Sequence, residues 1–160
     1  MTATTGDKAR KPSAAKTRAR PAPVAATATL KPLSKAAAKL RRIELVANPA
    51  SGSVGPMAAE QAAAILASYG LTANIQAPGP GGIPEALDKA VAARPDLIII
   101  LAGDGTARSA ASLCGAQGAL IAPLPGGTMN MLPHALYGVK TWQAALEDTL
   151  SGGVERPVSG

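Results

Sequence analysis

The sequence predicts an α/β fold, a three-layer sandwich with a mostly parallel sheet, preceded by a disordered basic arm. Two patterns point to the sandwich. From Arg42 onward short apolar runs alternate with helix-period segments, as successive strand and helix units require. Leu97-Ile98-Ile99-Ile100-Leu101 is an unbroken apolar run, of the kind found in a strand covered on both faces. The charge distribution sets off the arm. Met1 to Arg42 carry eleven Lys or Arg against one acid, Asp7, a net of +10; the remaining residues carry five against nine, a net of −4, which together give the chain its +6.

Residues 1–41 therefore read as a disordered basic arm, since Lys and Arg mixed with Ala, Pro and Thr bury too little to order themselves. Such an arm also suits electrostatic attachment to anionic lipid. An organellar presequence fits less well, because three Pro between Pro12 and Pro23 interrupt any amphipathic helix. Residues 42–155 read as the folded domain, and residues 156–160 as the start of a further one. One Trp, two Tyr and no Phe leave the domain without the stacking platform of a nucleic-acid binder, so no nucleic-acid partner is expected. The single Cys114 forms no internal disulfide, which makes the cytoplasm the expected compartment. No apolar run reaches the length of a membrane span.

The elements follow in order. Ile43 to Ala47 reads as the first strand. A helix opens near Pro56 and closes at Gly70, with Ala58, Ala62, Ile65, Leu66 and Tyr69 on one face. Leu71 to Gln76 is a weak strand, and a second helix carries Ile83, Ala86, Leu87, Ala90 and Val91 up to Arg94, where Pro95 stops it. Asp96 to Ala102 is the strongest strand and is expected at the centre of the sheet. A helix through Ala110, Ala111 and Cys114 follows. Then come a short strand from Leu120 to Ala122, a short helix from Leu132 to Leu136, and a last helix from Thr141 to Leu150 with Trp142 as its anchor. Val154 to Val158 could open another strand.

The chemistry is concentrated in three glycine-containing loops. Gly103-Asp104-Gly105-Thr106 lies between the buried strand and the next helix, where ligands bind in parallel sheets and where a helix start offers unpaired N–H groups to an anion. Thr106 is a candidate cap for that helix. Pro125-Gly126-Gly127-Thr128-Met129-Asn130 follows the next strand; Asn130 is expected to cap the short helix, leaving Thr128 and the Gly127 N–H free for a ligand oxygen. Asn48-Pro49-Ala50-Ser51-Gly52 follows the first strand. Neither the Walker pattern nor the dinucleotide fingerprint is present. His134 reads as a solvent-facing polar side chain, not a metal ligand, and Cys114 as a small core residue.

The order Asn48-Pro49-x-Ser51-Gly52, Gly103-Asp104-Gly105-Thr106 and Pro125-x-Gly127-Thr128-x-Asn130 resembles the diacylglycerol kinase catalytic domain family, which includes sphingosine kinases and bacterial lipid kinases. The resemblance implies that ATP is held by Asn48, Pro49, Ser51 and Gly52, by Ala102, Gly103, Asp104, Gly105, Thr106 and Arg108, and by Gly127, Thr128 and Asn130. It implies Mg²⁺ and transfer of a phosphoryl group to a lipid hydroxyl. Asp104 is implied as a phosphate-site acid first and a general base second, with the base and metal-site acids of bacterial relatives in a second domain that these residues lack. On that reading the chain by itself is inactive or nearly so.

The sequence departs from the family pattern at five places. Ala102 stands for the first glycine of Gly-Gly-Asp-Gly, Arg108 for an asparagine, Ser109 for an acid one turn into the helix and Met131 for the acid after Asn130; the Pro78 to Gly82 run replaces a threonine pair. Arg108 is a candidate for a charge-assisted bond to a phosphate. Two other readings stand beside the kinase: a non-catalytic nucleotide-binding module, and an NAD kinase-like enzyme sharing the Gly-Asp-Gly turn, against which Pro125 to Asn130 argues. Neither the lipid nor the oligomeric state is legible.

Overall fold

The structure, a computed structural model, describes residues 28–157. Residues 1–27 of the arm expected over 1–41, and residues 158–160, lie outside the described residues. Four strands form one parallel sheet in the order β2-β1-β3-β4: β1 (Ile43–Ala47), β2 (Asn74–Gln76), β3 (Leu97–Ala102) and β4 (Leu120–Pro125). The helices are α1 (Ala58–Ser68), α2 (Ile83–Ala92), α3 (Asp104–Cys114), α4 (Met131–Tyr137) and α5 (Trp142–Gly152), with a short 3-10 turn at Ala37–Lys39.

The two faces of β3 explain the layers. Leu97, Ile99 and Leu101 join Ile43, Leu45 and Ala47 in a cluster with Leu66 of α1 and Trp142, Leu146 and Leu150 of α5. Ile98, Ile100 and Ala102 point the other way, onto Leu87 and Ala90 of α2 and Ala107 and Ala110 of α3. Every residue of β3 is buried, so its apolar run satisfies both outer layers by the alternation of the pleat. Glu44 is buried too; its carboxylate accepts a 2.7 Å bond from Asn74 Nδ2, which binds the short β2 to β1 at residues already in register.

Three boundaries differ from the sequence expectation. β2 begins at Asn74 rather than Leu71. β4 runs on to Pro125, although two prolines argue against a strand interior. Leu120 donates its N–H to Asp96 on the β3 side, so by alternation Ala122 and Leu124 face β3 as well, while Pro123 and Pro125 fall where an N–H would point off the free edge of the sheet. Neither proline costs a ladder bond. Residues 154–157 form no strand.

Residues 28–41, assigned by composition to the arm, run along the α1 and α5 layer. Lys31 N–H donates to Ser68 O and Ser34 N–H to Leu150 O, both at 2.8 Å, while Leu33 and Leu40 pack on the core. Lys31 Nζ sits 2.8 Å from Glu147 Oε1 and 5.4 Å from the ring centre of Tyr69. Leu33 and Leu40, with the buried Ala37 between them, thus hold a segment whose average composition looks incapable of order.

Asp96 lies just before β3 and takes the N–H groups of Arg41 at 2.7 Å and Arg42 at 2.9 Å. The Arg42 N–H first, then that of Arg41, hold its carboxyl below the ordinary aspartate range. A lowered folded-state pKa means stability that is complete above the unfolded value and is lost as pH falls through the folded one. Asp96→Ala should therefore lower stability most at neutral pH and least in acid, flattening the acid limb of the stability profile, as read by urea unfolding across a pH series.

Candidate functional site

The three loops predicted to share an edge meet at the carboxyl ends of β1, β3 and β4. The loop after β1 is folded on itself: Ala50 N–H donates to Asn48 Oδ1 at 3.1 Å and Ser51 N–H to Asn48 O at 3.0 Å. It then reaches across the sheet, where Ser53 N–H donates to Gly126 O and Ser53 Oγ to Pro125 O. Gly52 closes on the third loop, since a Cβ there would stand 3.4 Å from Thr128 Oγ1. Asn48, in turn, donates its own N–H to Leu101 O of β3.

The second and third loops are in backbone contact. A Cβ at Gly127 would lie 2.6 Å from the Gly103 Cα, and one at Gly126 would lie 2.7 Å from both Ala102 N and Val54 Cγ2. No side chain fits at either position without moving main chain, which is the physical reason for two consecutive glycines here. Ala102 itself is buried in the α2 and α3 layer, so its methyl group, where the family pattern has hydrogen, points into the core and away from the loops.

Asp104 differs in role from the expectation. Its two oxygens accept the first N–H groups of α4, Oδ2 from Met131 at 3.0 Å and Oδ1 from Leu132 at 3.1 Å. The carboxylate of one loop thus caps the helix that leaves another, satisfying donors that a helix start leaves orphaned. Asn130, expected to do this, makes no side-chain cap bond and sits in the left-handed region at φ 50°. Its amide turns back instead, Oδ1 accepting from Gly127 N at 2.7 Å and Nδ2 donating to Gly127 O at 2.8 Å. The Gly127 N–H is consequently occupied, not free. Asparagine tolerates the left-handed backbone better than other residues, and in that conformation its side chain closes the loop.

Thr106 makes no side-chain cap bond; α3 starts from Gly103 with extended backbone. The N–H groups of Gly103, Asp104 and Gly105 find no protein acceptor among the described residues, and nothing crowds Gly105 within 4 Å. The N–H groups of Gly52 and Thr128 are likewise unengaged. Five donors from three loops, on exposed or half-buried backbone, are what an anionic ligand with several oxygens requires. Arg108 is exposed on α3, and Ser109 returns its hydroxyl to Gly105 O. Pro49 and Ser51 lie half-buried beside Gly52.

No three His, Cys, Asp or Glu side chains gather into a metal-binding group among the described residues, and Asp104 is already engaged by two N–H groups. The chain's own residues do not fit a protein-held Mg²⁺; an ion carried on phosphate oxygens needs fewer protein ligands. A groove of about 440 Å³ lies at the opposite end of the sheet, against Leu40, Leu97, Leu120 and Tyr137, and has none of the loop residues in its walls.

Against known proteins, residues 42–158 match the sequence profile of the diacylglycerol kinase catalytic domain. No curated protein gives a match. Among solved structures, a diacylglycerol kinase from Bacillus anthracis superposes with a TM-score of 0.56 at 21% identity, covering 68% of this chain and 41% of that one. Two structures described as putative diacylglycerol kinases from the same organism give 0.56 at 22% identity over 68% of this chain, with 41% and 40% of theirs covered. At that identity the likeness concerns the fold, and the chain spans about two fifths of the length of these relatives.

Three substitutions separate brace from ligand site. Gly127→Ala should lower stability by about 1–3 kcal/mol in urea unfolding, because backbone meets backbone, while Gly105→Ala, with open space around it inside α3, should raise stability by up to about 1 kcal/mol. Asp104→Ala should cost about 0.5–2 kcal/mol as a lost helix cap and should raise amide hydrogen exchange selectively at Met131 and Leu132.

Proposed function

The chain belongs to the diacylglycerol kinase catalytic domain family, and on that premise we propose that its loops bind ATP as the nucleotide half of a lipid kinase, which passes the γ-phosphoryl group to a lipid hydroxyl. The observation that carries this reading is the group of free N–H donors at Gly52, Gly103, Asp104, Gly105 and Thr128, held together by loops whose glycines touch. Fixed dipoles of this kind stabilise phosphate charge without reorganising as it shifts. The adjacent N-terminus of the eleven-residue α3 adds the positive end of its dipole.

In this reading each loop has its own task. Asn48 to Gly52, with Pro49 stiffening the turn, closes one side of the triphosphate; Ala102 to Thr106 supplies the central donors; Gly127 to Asn130 closes the other side. Arg108 reaches from the first turns of α3 to a terminal phosphate. Asp104 acts first as the brace between loops and only second as an acid or base, since a general base must reach the proton it removes. Any Mg²⁺ arrives on the nucleotide's own oxygens. A cytoplasmic enzyme, peripheral at a membrane where its lipid resides, is the setting that follows.

The engagement of Asp104 favours a second reading, a nucleotide-binding module without catalysis of its own. Calorimetric titration of the chain with ATP and with AMP tests the shared premise: ATP should bind clearly tighter than AMP, and Arg108→Ala should weaken ATP alone. Equal affinities, or none, would remove the phosphate site. Radiolabelled ATP offered with diacylglycerol, sphingosine, ceramide or NAD then decides between kinase and module.

A further inference from the structure

The three loops offer a ligand hydrogens more readily than oxygens. Their oxygens are largely engaged with one another. Asn48 O accepts from Ser51 N–H and Asn48 Oδ1 from Ala50 N–H, Gly103 O from Thr106 N–H, Pro125 O from Ser53 Oγ and Gly126 O from Ser53 N–H. Gly105 O takes the Ser109 hydroxyl and Gly127 O the Asn130 amide. The one carboxylate within residues 48–55, 102–109 and 125–131 is that of Asp104, and both of its oxygens accept main-chain N–H groups, at 3.0 and 3.1 Å. Against this, the N–H groups of Gly52, Gly103, Asp104, Gly105 and Thr128 have no protein acceptor among the described residues.

A Mg²⁺ ion asks for the opposite, a near-octahedral shell of oxygens at about 2.0–2.1 Å with carboxylates among them. Residue 131 is where a second carboxylate would stand beside the first, because its N–H lies 3.0 Å from Asp104 Oδ2. That position holds a methionine, 70% exposed. Acids elsewhere are engaged away from the loops: Glu44 with Asn74, Asp96 with the N–H groups of Arg41 and Arg42, and Glu85 with Lys89. Positive charge, by contrast, is at hand. The amino end of α3 carries the positive pole of its dipole, and Arg108 stands exposed on that helix with no ion-pair partner among the described residues.

We propose that the loops of this chain take up a polyphosphate as the free anion, and that Mg²⁺ bound to the phosphates weakens its capture. The inference rests on the phosphate-site reading above and adds to it the ionic form of the ligand. A Mg²⁺ on the phosphates cancels part of the negative charge that the N–H groups, the α3 dipole and Arg108 attract. It also occupies phosphate oxygens that those N–H groups would otherwise meet. The loops return nothing for that loss, since the oxygens of their only carboxylate already hold the first turn of α4.

Calorimetric titration of the whole chain with ATP, once in metal-free buffer and once in excess Mg²⁺ at matched ionic strength, tests this. ATP should bind in the metal-free buffer, and Mg²⁺ should weaken that binding about tenfold. Met131→Asp places a carboxylate beside that of Asp104 and should reverse the sign, ATP then binding tighter in Mg²⁺, with circular dichroism showing the wild-type fold. Should the variant not fold, the two wild-type titrations decide alone. A wild-type affinity equal or higher in Mg²⁺ would overturn the proposal and leave the ATP reading standing. A folded Met131→Asp in which Mg²⁺ still weakens binding would overturn the cause assigned to the loop oxygens. No binding in either buffer would strike the phosphate site and this proposal together.

Discussion

The backbone contact between Gly103 and Gly127, locked by the Asp104 carboxylate on the first turn of α4, is the constraint on which the candidate site depends. Strand ends in a parallel sheet stand one strand spacing apart, and the loops that leave them diverge unless something draws them together. A Cβ on Gly127 would meet the Gly103 Cα at 2.6 Å, so the approach is available only to a backbone without side chains at that point. Asp104 then converts proximity into a fixed geometry, because its two oxygens take successive N–H groups of α4 at 3.0 and 3.1 Å.

This arrangement sorts the polar groups into two sets. Those that hold the loops are satisfied: Asn130 with Gly127, Asn48 with Ala50 and Ser51, Ser53 with Pro125 and Gly126. Those that are left, at Gly52, Gly103, Asp104, Gly105 and Thr128, are backbone N–H groups on accessible main chain. Buried side-chain polar atoms without a partner are absent among the described residues, and these five N–H groups lie on exposed or half-buried residues that solvent or a ligand can reach. Hydrogen-bond accounting of this kind separates scaffold from site more sharply than residue type does.

The apolar surface is as unevenly distributed as the polar one. The core on either side of β3 is dense with Leu, Ile and Ala, yet α4 leaves Met131 and Leu136 in contact with water. Residues 28–41 show the converse: a stretch that composition classes with a basic arm lies along α1 and α5 through two leucines and two backbone bonds. Average composition decides whether a long segment can form a core of its own. It does not decide whether a short one can borrow a core already built.

By itself the sequence determined the α/β class, the central place of the Leu97 to Leu101 strand, the helix faces at Ala58 to Tyr69 and Ile83 to Val91, and the convergence of three loops, because period, turn chemistry and burial are local properties. The diacylglycerol kinase resemblance was legible on the same loops. Tertiary structure alone decided which groups those loops spend on each other. That Asp104 rather than Asn130 caps α4, that the Gly127 N–H is taken, that prolines fit β4 because they face a free edge, and that residues 28–41 lie on the domain are all relations between segments far apart in the chain. Spacing along a sequence carries no record of them, since a hydrogen bond across 27 residues depends on where two strands end in space.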